Sequence, residues 1–244
     1  PAKGYKVLWF DHNEADPRQI DFKLDCDGGT FYIADENGNL VTLQSYPAAI
    51  SRTSYARTTD GANNWGLTAL PTPGKSNDGS VFATARLDAP IINKDSQLFT
   101  SSFIARVTIP DGATLKYTTD GTTPSATNGQ VSTTGRFTVN TTTTYRFRLF
   151  QDGMLPSEVI TRSYIYKDKE FKLPVISVVT DPVNLYDDSL GVYVKGVNGR
   201  PGNGQSTPCN WNMEWDRPVN FEYITPDGKM AFNQEVDFAM CGGW

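Results

Sequence analysis

The side chains best suited to metal or acid–base chemistry occur together near the start of the chain. The stretch FDHNEAD places Asp11, His12, Glu14 and Asp16 close together in sequence. Carboxylate and imidazole groups are metal ligands, so this set is the first candidate for a metal site. A loop does not aim four neighbouring side chains at one point, however, and His12 is the only histidine of the chain. We therefore interpret the stretch as a solvated loop and predict no metal site there.

The acidic stretch ADENGN at 34–39 has the composition of a calcium-binding loop. It lacks the alternating aspartates and the later glutamate that an EF-hand loop uses as ligands. The dipeptide Asn37-Gly38 is instead typical of a tight turn between two strands. We predict a β-hairpin at this position.

A glycine-rich stretch, GVNGRPGNGQ, occupies residues 196–205. Such a loop can bring backbone N–H groups close to a phosphate. The stretch contains neither the P-loop pattern nor the spaced glycines of a dinucleotide-binding motif. We predict a flexible surface loop, with nucleotide binding as the alternative.

The aromatic residues Trp211 and Trp215 lie in NWNMEWDRP, close to Arg217. Flat aromatic rings cover the apolar faces of sugars, so the two tryptophans are candidates for a ligand-facing platform. The alternative is packing, with the Arg217 guanidinium stacked on an indole ring. The sequence favours packing and leaves both interpretations open.

Covalent and hydrolytic chemistry has little support in the sequence. A single histidine makes a Ser-His-Asp triad implausible. Aspartates and glutamates are numerous, but nothing singles out a glycosidase pair. We predict no catalytic residue and no bound cofactor in this chain.

The chain has three cysteines, Cys26, Cys209 and Cys241. No two of them have the close spacing of a zinc site, so we predict no metal bound by cysteine. Cys209 and Cys241 flank one segment and are a candidate disulfide across two strands. The alternative is that they are free thiols in the core.

Composition narrows the fold class and the partners. The 21 glycines and 15 prolines interrupt helices and favour turns, so we predict a mostly β protein. A net charge of −5 repels phosphate backbones, which argues against nucleic acid as a partner. No apolar run is long enough to span a membrane. The chain opens without Met and ends at Gly243-Trp244, so we expect it to be part of a longer protein.

The middle of the chain shows short threonine-rich strand patterns separated by turns. In TLKYTTDGTTPS, Leu115 and Tyr117 alternate with polar residues, and Asp120-Gly121 supplies a turn. In TYRFRLF the residues Tyr145, Phe147 and Leu149 alternate with polar ones, which predicts a strand with one face in a core and the other in water. The remaining strand predictions here are FTSSFIARVTI, GRFTVN and VITRSYIY. This regular spacing suggests a β-sandwich.

The two ends of the chain contain further predicted elements. We expect YKVLWF to be a buried strand, LPVISVVT a strand buried on both faces, and GVYVKG another strand. A short helix is predicted to run through Tyr186, with Asp181 as its N-cap and Pro182 at the first helical position. Two strands, RPVNFEYI and one from MAFNQ onward, read as a hairpin through Pro226-Asp227-Gly228.

The sequence ATLKYTTDGTTPS, followed by TVNTTTTYRFRLFQDGMLPSEVITRSY, resembles the C-terminal domain of chitobiase and β-hexosaminidase. The resemblance implies an immunoglobulin-like accessory domain rather than a catalytic one. The stretches DFKLDCDGGTFYIADENG, SYARTTDG and PTPGKSN resemble a bacterial lamin-tail domain. That second resemblance implies a small immunoglobulin-like β-sandwich, incomplete because the family pattern begins with strands that precede this sequence.

The last part of the chain resembles the opening of the CotH family of spore-coat-type protein kinases. The matching stretches are FKLPVISVVTDPVNLYDD, GVYVKG, NWNMEWDRPVNFEY and the terminal GGW. The family's phosphate-binding lysine and acidic catalytic residues come after the GGW step. The resemblance therefore assigns no catalytic position to this chain.

These observations predict two immunoglobulin-like β-sandwich modules followed by an incomplete α+β CotH-like segment. The expected boundaries are 1–78, 79–166 and 167–244. The resemblances imply a non-catalytic scaffold or adhesion part of a bacterial protein, extracellular or at the cell surface, with a surface protein or a glycan as partner. The alternatives are the N-terminal half of a kinase that uses Mg-ATP and a carbohydrate-binding module.

Overall fold

A computed structural model describes residues 4–10, 20, 22–202 and 204–241. Strands make up 41% of the structure and helix 3%, which confirms the predicted mostly β class. The chain divides into two compact units. Unit 1 comprises residues 1–86 and 152–155, and unit 2 comprises 87–151 and 156–244.

Unit 1 contains two antiparallel hairpins. In the first, β1 (Gly29–Ala34) pairs with β2 (Leu40–Tyr46), which confirms the hairpin predicted at Asn37-Gly38. In the second, β3 (Ser54–Arg57) pairs with β4 (Trp65–Thr68). A small core of Leu67, Ala83 and Leu155, with Ile50 packed against it, belongs to this unit.

The prediction of a buried strand at YKVLWF is wrong. Of its residues only Trp9 forms a β-bridge, and Tyr5, Leu8 and Trp9 are exposed. The Tyr5 hydroxyl hydrogen-bonds instead to the carboxylate of Asp60. A hydrophobic run makes a buried strand only if another element covers it, and the run itself does not supply that cover.

The first part of unit 2 is a β-sandwich of two sheets. The larger sheet has the order β5-β11-β10-β7-β8, and the smaller one pairs β6 with β9. Their bounds are β5 Gln97–Phe99, β6 Phe103–Arg106, β7 Thr114–Thr118, β8 Gln130–Ser132, β9 Arg136–Val139, β10 Thr143–Phe150 and β11 Ile160–Tyr166. All pairs are antiparallel except β5 with β11.

The sandwich core follows from the alternation in β10. Tyr145, Phe147 and Leu149 are buried, as predicted. The ring of Phe137 on the smaller sheet lies 5.0 Å from that of Phe147 and 5.3 Å from that of Tyr145, in edge-on contacts. Edge-to-face aromatic pairs add to the stabilisation that apolar burial supplies, so this cluster holds the two sheets together.

The last part of unit 2 carries a second, three-stranded sheet in the order β12-β15-β16. Its strands are β12 (Val175–Val179), β15 (Arg217–Ile224) and β16 (Met230–Phe238). The predicted hairpin of β15 and β16 is confirmed by their antiparallel register. Between β12 and β15 lie the helix α1 (Val183–Tyr186), a hairpin of β13 (Arg200–Gly202) with β14 (Gln205–Cys209), and a 3₁₀ helix (Asn210–Asn212).

The three-stranded sheet turns its polar face inward. Strand β12 was predicted to be buried on both faces, but Ile176 and Val178 are 56% and 51% exposed, so that prediction is wrong. Ser177, between them, faces the sandwich and shares a 2.8 Å hydrogen bond with Ser163 of β11. The outward face also carries a ring stack in which Phe232 lies 5.6 Å from both Phe221 and Tyr223.

A buried polar seam therefore joins the sandwich to the three-stranded sheet. We define this seam by Ser96, Thr161 and Ser163 of the sandwich and Ser177, Glu222 and Asn233 of the sheet. Glu222 is fully buried and accepts hydrogen bonds from the Ser96 hydroxyl and from Asn233 Nδ2, the latter at 2.7 Å. Asn233 Nδ2 also donates to the Thr161 carbonyl at 3.0 Å.

Two predicted features of the last segment differ in the structure. The stretch GVYVKG contains turns and bends rather than a strand. Its backbone is diverted by local bonds, such as that of the Tyr193 N–H to the Leu185 carbonyl at 2.9 Å. The helix begins at Val183, with Pro182 rather than Asp181 at the cap position. The domain boundaries at 78 and 166 stay a prediction.

Candidate binding cleft

The described residues form a cleft of about 410 Å³ beside the β13–β14 hairpin. Its lining residues are Lys195, Gly204, Gln205, Ser206, Thr207, Cys209 and Trp211. Pockets for small ligands span roughly 300–1,000 Å³, so the volume suits a small molecule or one end of a chain-like ligand. The cleft is the candidate functional site of this protein.

The hairpin beside the cleft replaces the flexible loop that the glycine-rich stretch predicted. A Cβ atom at Gly199 would lie 2.3 Å from the Cys209 backbone, and one at Gly202 would lie 2.7 Å from the Asn212 side chain. Gly199 therefore allows close approach to the end of β14, and Gly202 allows close packing of the hairpin against the 3₁₀ helix. These close contacts account for glycine at positions 199 and 202 by packing, with no need for a phosphate-binding role at those two positions.

Asn210 fixes the two sides of the cleft relative to each other. Its backbone N–H donates to the Lys195 carbonyl at 2.6 Å, and Trp211 is the next residue in the chain. Its buried side chain donates from Nδ2 to the carbonyls of Asp188 at 3.1 Å and Gly191 at 3.0 Å. Gly196 has a φ of 65° and passes so close to Asn210 that a Cβ atom would overlap it.

Bonds of Arg200 tie the hairpin to the last residue of the 3₁₀ helix and to Glu214. Its Nε donates to the Asn212 carbonyl at 2.6 Å, and its Nη2 donates to Glu214 Oε1 at 2.7 Å. Asn212 Nδ2 donates back to the Arg200 carbonyl at 3.0 Å. The wall of the cleft is thus braced by paired side-chain and backbone bonds.

The two predicted aromatic residues have different environments. Trp211 lines the cleft and is half-buried. Trp215 does not line it; the Arg217 guanidinium lies 4.8 Å from its ring centroid. Arg217 is held in turn by donation from Nε and Nη2 to the Leu190 carbonyl at 2.9 Å and 2.6 Å. The stacking expected of Trp215 and Arg217 is therefore present, while Trp211 stays available to a ligand.

Sequence analysis named Cys209, Trp211 and the stretch that contains Gly204 and Gln205, but it missed Lys195, Ser206 and Thr207. Lys195 lines the cleft, although it lies in a stretch that was predicted to be a strand. Tyr186 and Tyr193 are each 61% exposed and form an edge-on pair with centroids 6.3 Å apart. No motif marks these residues, since only the fold brings position 195 next to position 211.

Of the cysteines, Cys209 alone among the described residues lines the cleft. Cys209 is buried in the cleft wall, Cys241 is exposed, and both are free thiols in the structure. A disulfide between them stays a prediction that free-thiol counting checks. Asp25, Cys26 and Asp27, which the sequence reading did not single out, place their ligand atoms within 4.8 Å of one another on an exposed turn. The four candidates of FDHNEAD, from Asp11 to Asp16, lie outside the described residues.

Two aspartates in turns have structural partners. Asp35 accepts bonds from the Asn39 side chain and from the backbone N–H groups of Asn39 and Asn37, which hold its pKa below the ordinary value. Asp120 accepts bonds from the Thr122 hydroxyl at 2.6 Å and the Thr122 N–H at 3.0 Å, which lower its pKa in the same way. These contacts explain ADENGN at 34–39 and the Asp120-Gly121 segment as turns.

Comparison with known proteins agrees with the sandwich of unit 2. Residues 96–161 match the family model of the Chitobiase/beta-hexosaminidase C-terminal domain. The matched range runs from the residue before β5 into β11, so it covers the sandwich and not the cleft. This match fits a non-catalytic module. A search of the curated proteins finds no match to this chain.

Within the described residues, no helix combines the length and the apolar character that a membrane crossing requires.

Proposed function

We propose that this chain is a non-catalytic scaffold or adhesion part of a larger bacterial protein, extracellular or at the cell surface. The observation that carries the proposal is the use of buried polar groups in unit 2. Ser96, Ser163 and Glu222 join the sandwich to the next sheet, and Asn210 joins the loop at 188–195 to the 3₁₀ helix. Buried polar groups that are satisfied by such hydrogen bonds favour one fixed packing of the elements of unit 2. A fixed packing suits a rigid spacer.

Protease treatment of intact cells of the native source tests this proposal. A surface location predicts that added protease removes the protein while a cytoplasmic marker stays intact. Protection from protease until the cells are lysed would contradict the surface location. The purified chain, incubated with Mg-ATP and a generic protein substrate, should transfer no phosphate.

A carbohydrate-binding role is the second candidate, and the cleft favours it. Trp211 offers an aromatic face beside the amide of Gln205 and the hydroxyls of Ser206 and Thr207. Sugar sites commonly combine an aromatic surface with convergent polar groups. The melting midpoint with soluble polysaccharides measures this role, because a ligand at 100 times its dissociation constant stabilises a protein by about 2.7 kcal/mol.

In the kinase alternative the chain supplies scaffold and, at most, the glycine-rich stretch at 196–205 to a nucleotide site. The close packing of Gly199 and Gly202 supports the scaffold interpretation instead. A rise in the melting midpoint with millimolar Mg-ATP, absent with Mg²⁺ alone, would favour the kinase alternative. We expect no shift.

A further inference from the structure

We propose that the cleft binds a saccharide that carries a carboxylate group, a hexuronate, with Trp211 against the sugar ring and Lys195 paired with the carboxylate. This inference rests on the carbohydrate-binding candidate and adds the chemical class of the sugar. It follows from the kinds of groups that line the cleft, from the availability of Lys195 and from the rigidity of the wall.

The lining of the cleft is rich in hydrogen-bond donors. Lys195 supplies an ammonium group with three donors and no acceptor, and Trp211 supplies a donor-only indole N–H. Gln205, Ser206 and Thr207 can both donate and accept. No aspartate or glutamate of the described residues lines the cleft. Gln205, Ser206 and Thr207 can bond to the hydroxyls of any sugar, whereas the Lys195 ammonium, with no acidic side chain beside it in this lining, favours a sugar that carries a carboxylate.

The charge of Lys195 is available to a ligand. The side chain is exposed, and no carboxylate of the described residues forms an ion pair with it. The cleft therefore carries a positive charge on a chain whose net charge is −5. An ammonium–carboxylate hydrogen bond is about twice as strong as a neutral one, so it can select an acidic ring over a neutral one.

Backbone bonds hold the main chain at Lys195 close to Trp211 before a ligand arrives. Asn210 bonds to the Lys195 carbonyl and precedes Trp211, and its side chain bonds to two carbonyls of the loop at 188–191. A prearranged site loses less entropy on binding than a flexible one. Asn210 is thus a positioning residue for the site.

The test is calorimetric titration of the whole chain with trimers of galacturonate, glucuronate and mannuronate at low ionic strength. Each acidic trimer is paired with its methyl ester, which keeps the ring and removes the charge. The variants are Lys195→Met, which keeps the apolar stem, Trp211→Leu, and Lys172→Met as a control at an exposed lysine outside the cleft. Thermal unfolding of each variant checks that it is folded.

We expect at least one acidic trimer to bind, with about tenfold weaker binding of its ester and of Lys195→Met. Trp211→Leu should weaken acid and ester together, and Lys172→Met should change neither. Added salt should weaken the binding of the acid, because exposed charges are screened.

Three outcomes overturn the inference in different ways. Equal binding of acid and ester, unchanged in Lys195→Met, would leave a carbohydrate site and remove the acidic specificity. No binding of any trimer at millimolar concentration would contradict both the carbohydrate site and its preference for acidic sugars. The scaffold proposal is tested separately by the protease experiment. Binding of Mg-ATP that is lost in Lys195→Met would assign the cleft to a nucleotide.

Discussion

At the scale of single residues, Glu222 is the most unusual group in the described part of the chain. It is a fully buried carboxylate whose bonds come from a hydroxyl and an amide rather than from a cation. Its Oε2 has no hydrogen-bond partner among the described residues. The Ser96 hydroxyl, which donates to Glu222, also accepts a hydrogen bond from the Ser163 N–H at 3.0 Å. Through Ser96 and Asn233, the Glu222 carboxylate therefore connects β15 with β11 and β16.

Replacing Glu222 by Leu should destabilise unit 2 by about 2–4 kcal/mol. The change leaves the donors of Ser96 and Asn233 unsatisfied, and each such donor costs about 1–3 kcal/mol. Glu222→Gln keeps an acceptor for both donors and should therefore cost less than Glu222→Leu. Urea unfolding measures the difference, and equal stability of the Leu variant and the parent would show that the seam contributes nothing.

Acidification should weaken the turn at Asp120. Because hydrogen bonds from Thr122 lower the folded-state pKa of Asp120, the unfolded state binds a proton more readily. The stabilisation is complete above the unfolded pKa of about 3.9 and is lost as the pH falls through the lower folded value. Asp120→Asn keeps the turn bonds and should reduce the dependence of the urea midpoint on pH between about pH 5 and 2. The exposed residue Asp88 provides the control Asp88→Asn. If the urea midpoint of Asp120→Asn depends on pH as strongly as that of the parent chain and of this control, the prediction is contradicted.

At the scale of elements, β12 shows how a neighbouring sheet decides which face of a strand is buried. Its sequence VISVV contains one polar residue, yet that residue points into the polar seam. Ile176 and Val178 remain on the exposed face. The sandwich presents polar groups to this sheet, because the apolar face of β10 is already used in the sandwich core.

Two neighbouring substitutions in β12 should lower the free energy of unfolding in the opposite order to the one that side-chain hydrophobicity suggests. Ser177→Val removes one of the two hydroxyl partners of Ser163 Oγ, leaving Thr144 Oγ1 at 3.1 Å, and should cost about 1 kcal/mol. Val178→Thr changes an exposed side chain and should stay within about 0.5 kcal/mol. Chemical denaturation of both variants is the measurement. A stabilised Ser177→Val together with a strongly destabilised Val178→Thr would mean that the sheet faces the other way.

At the scale of the whole molecule, the chain crosses between its two compact units more than once. Residues 152–155, between β10 and β11, belong to unit 1 although both strands belong to unit 2. Leu155 packs there with Leu67 and Ala83, and its N–H donates to the Ala85 carbonyl at 2.8 Å. Unit 1 thus takes part of its small core from a distant part of the sequence.

Leu155→Ala should therefore loosen unit 1 rather than the sandwich. Leucine-to-alanine changes in a core cost about 2–5 kcal/mol, and a core this small has few contacts to share the loss. Hydrogen exchange should accelerate at Leu67 and Ala83, whose backbones bond to each other, and change little in β10. Met154→Ala, at a half-buried neighbour, serves as the control. Faster exchange in β10 alone would contradict the assignment of Leu155 to unit 1.

The sequence by itself determined the elements that depend on neighbouring residues. The period of two in TYRFRLF predicts the buried face of β10, and Asn37-Gly38 and Pro226-Asp227-Gly228 predict their hairpins, because turn geometry and pleat direction are local properties. Only the tertiary structure decided that YKVLWF stays exposed and that Ser177 is the inward residue of β12. It alone brought Lys195 and Trp211 to one cleft. These features depend on which surface lies opposite, and that surface is supplied by residues far away in the chain.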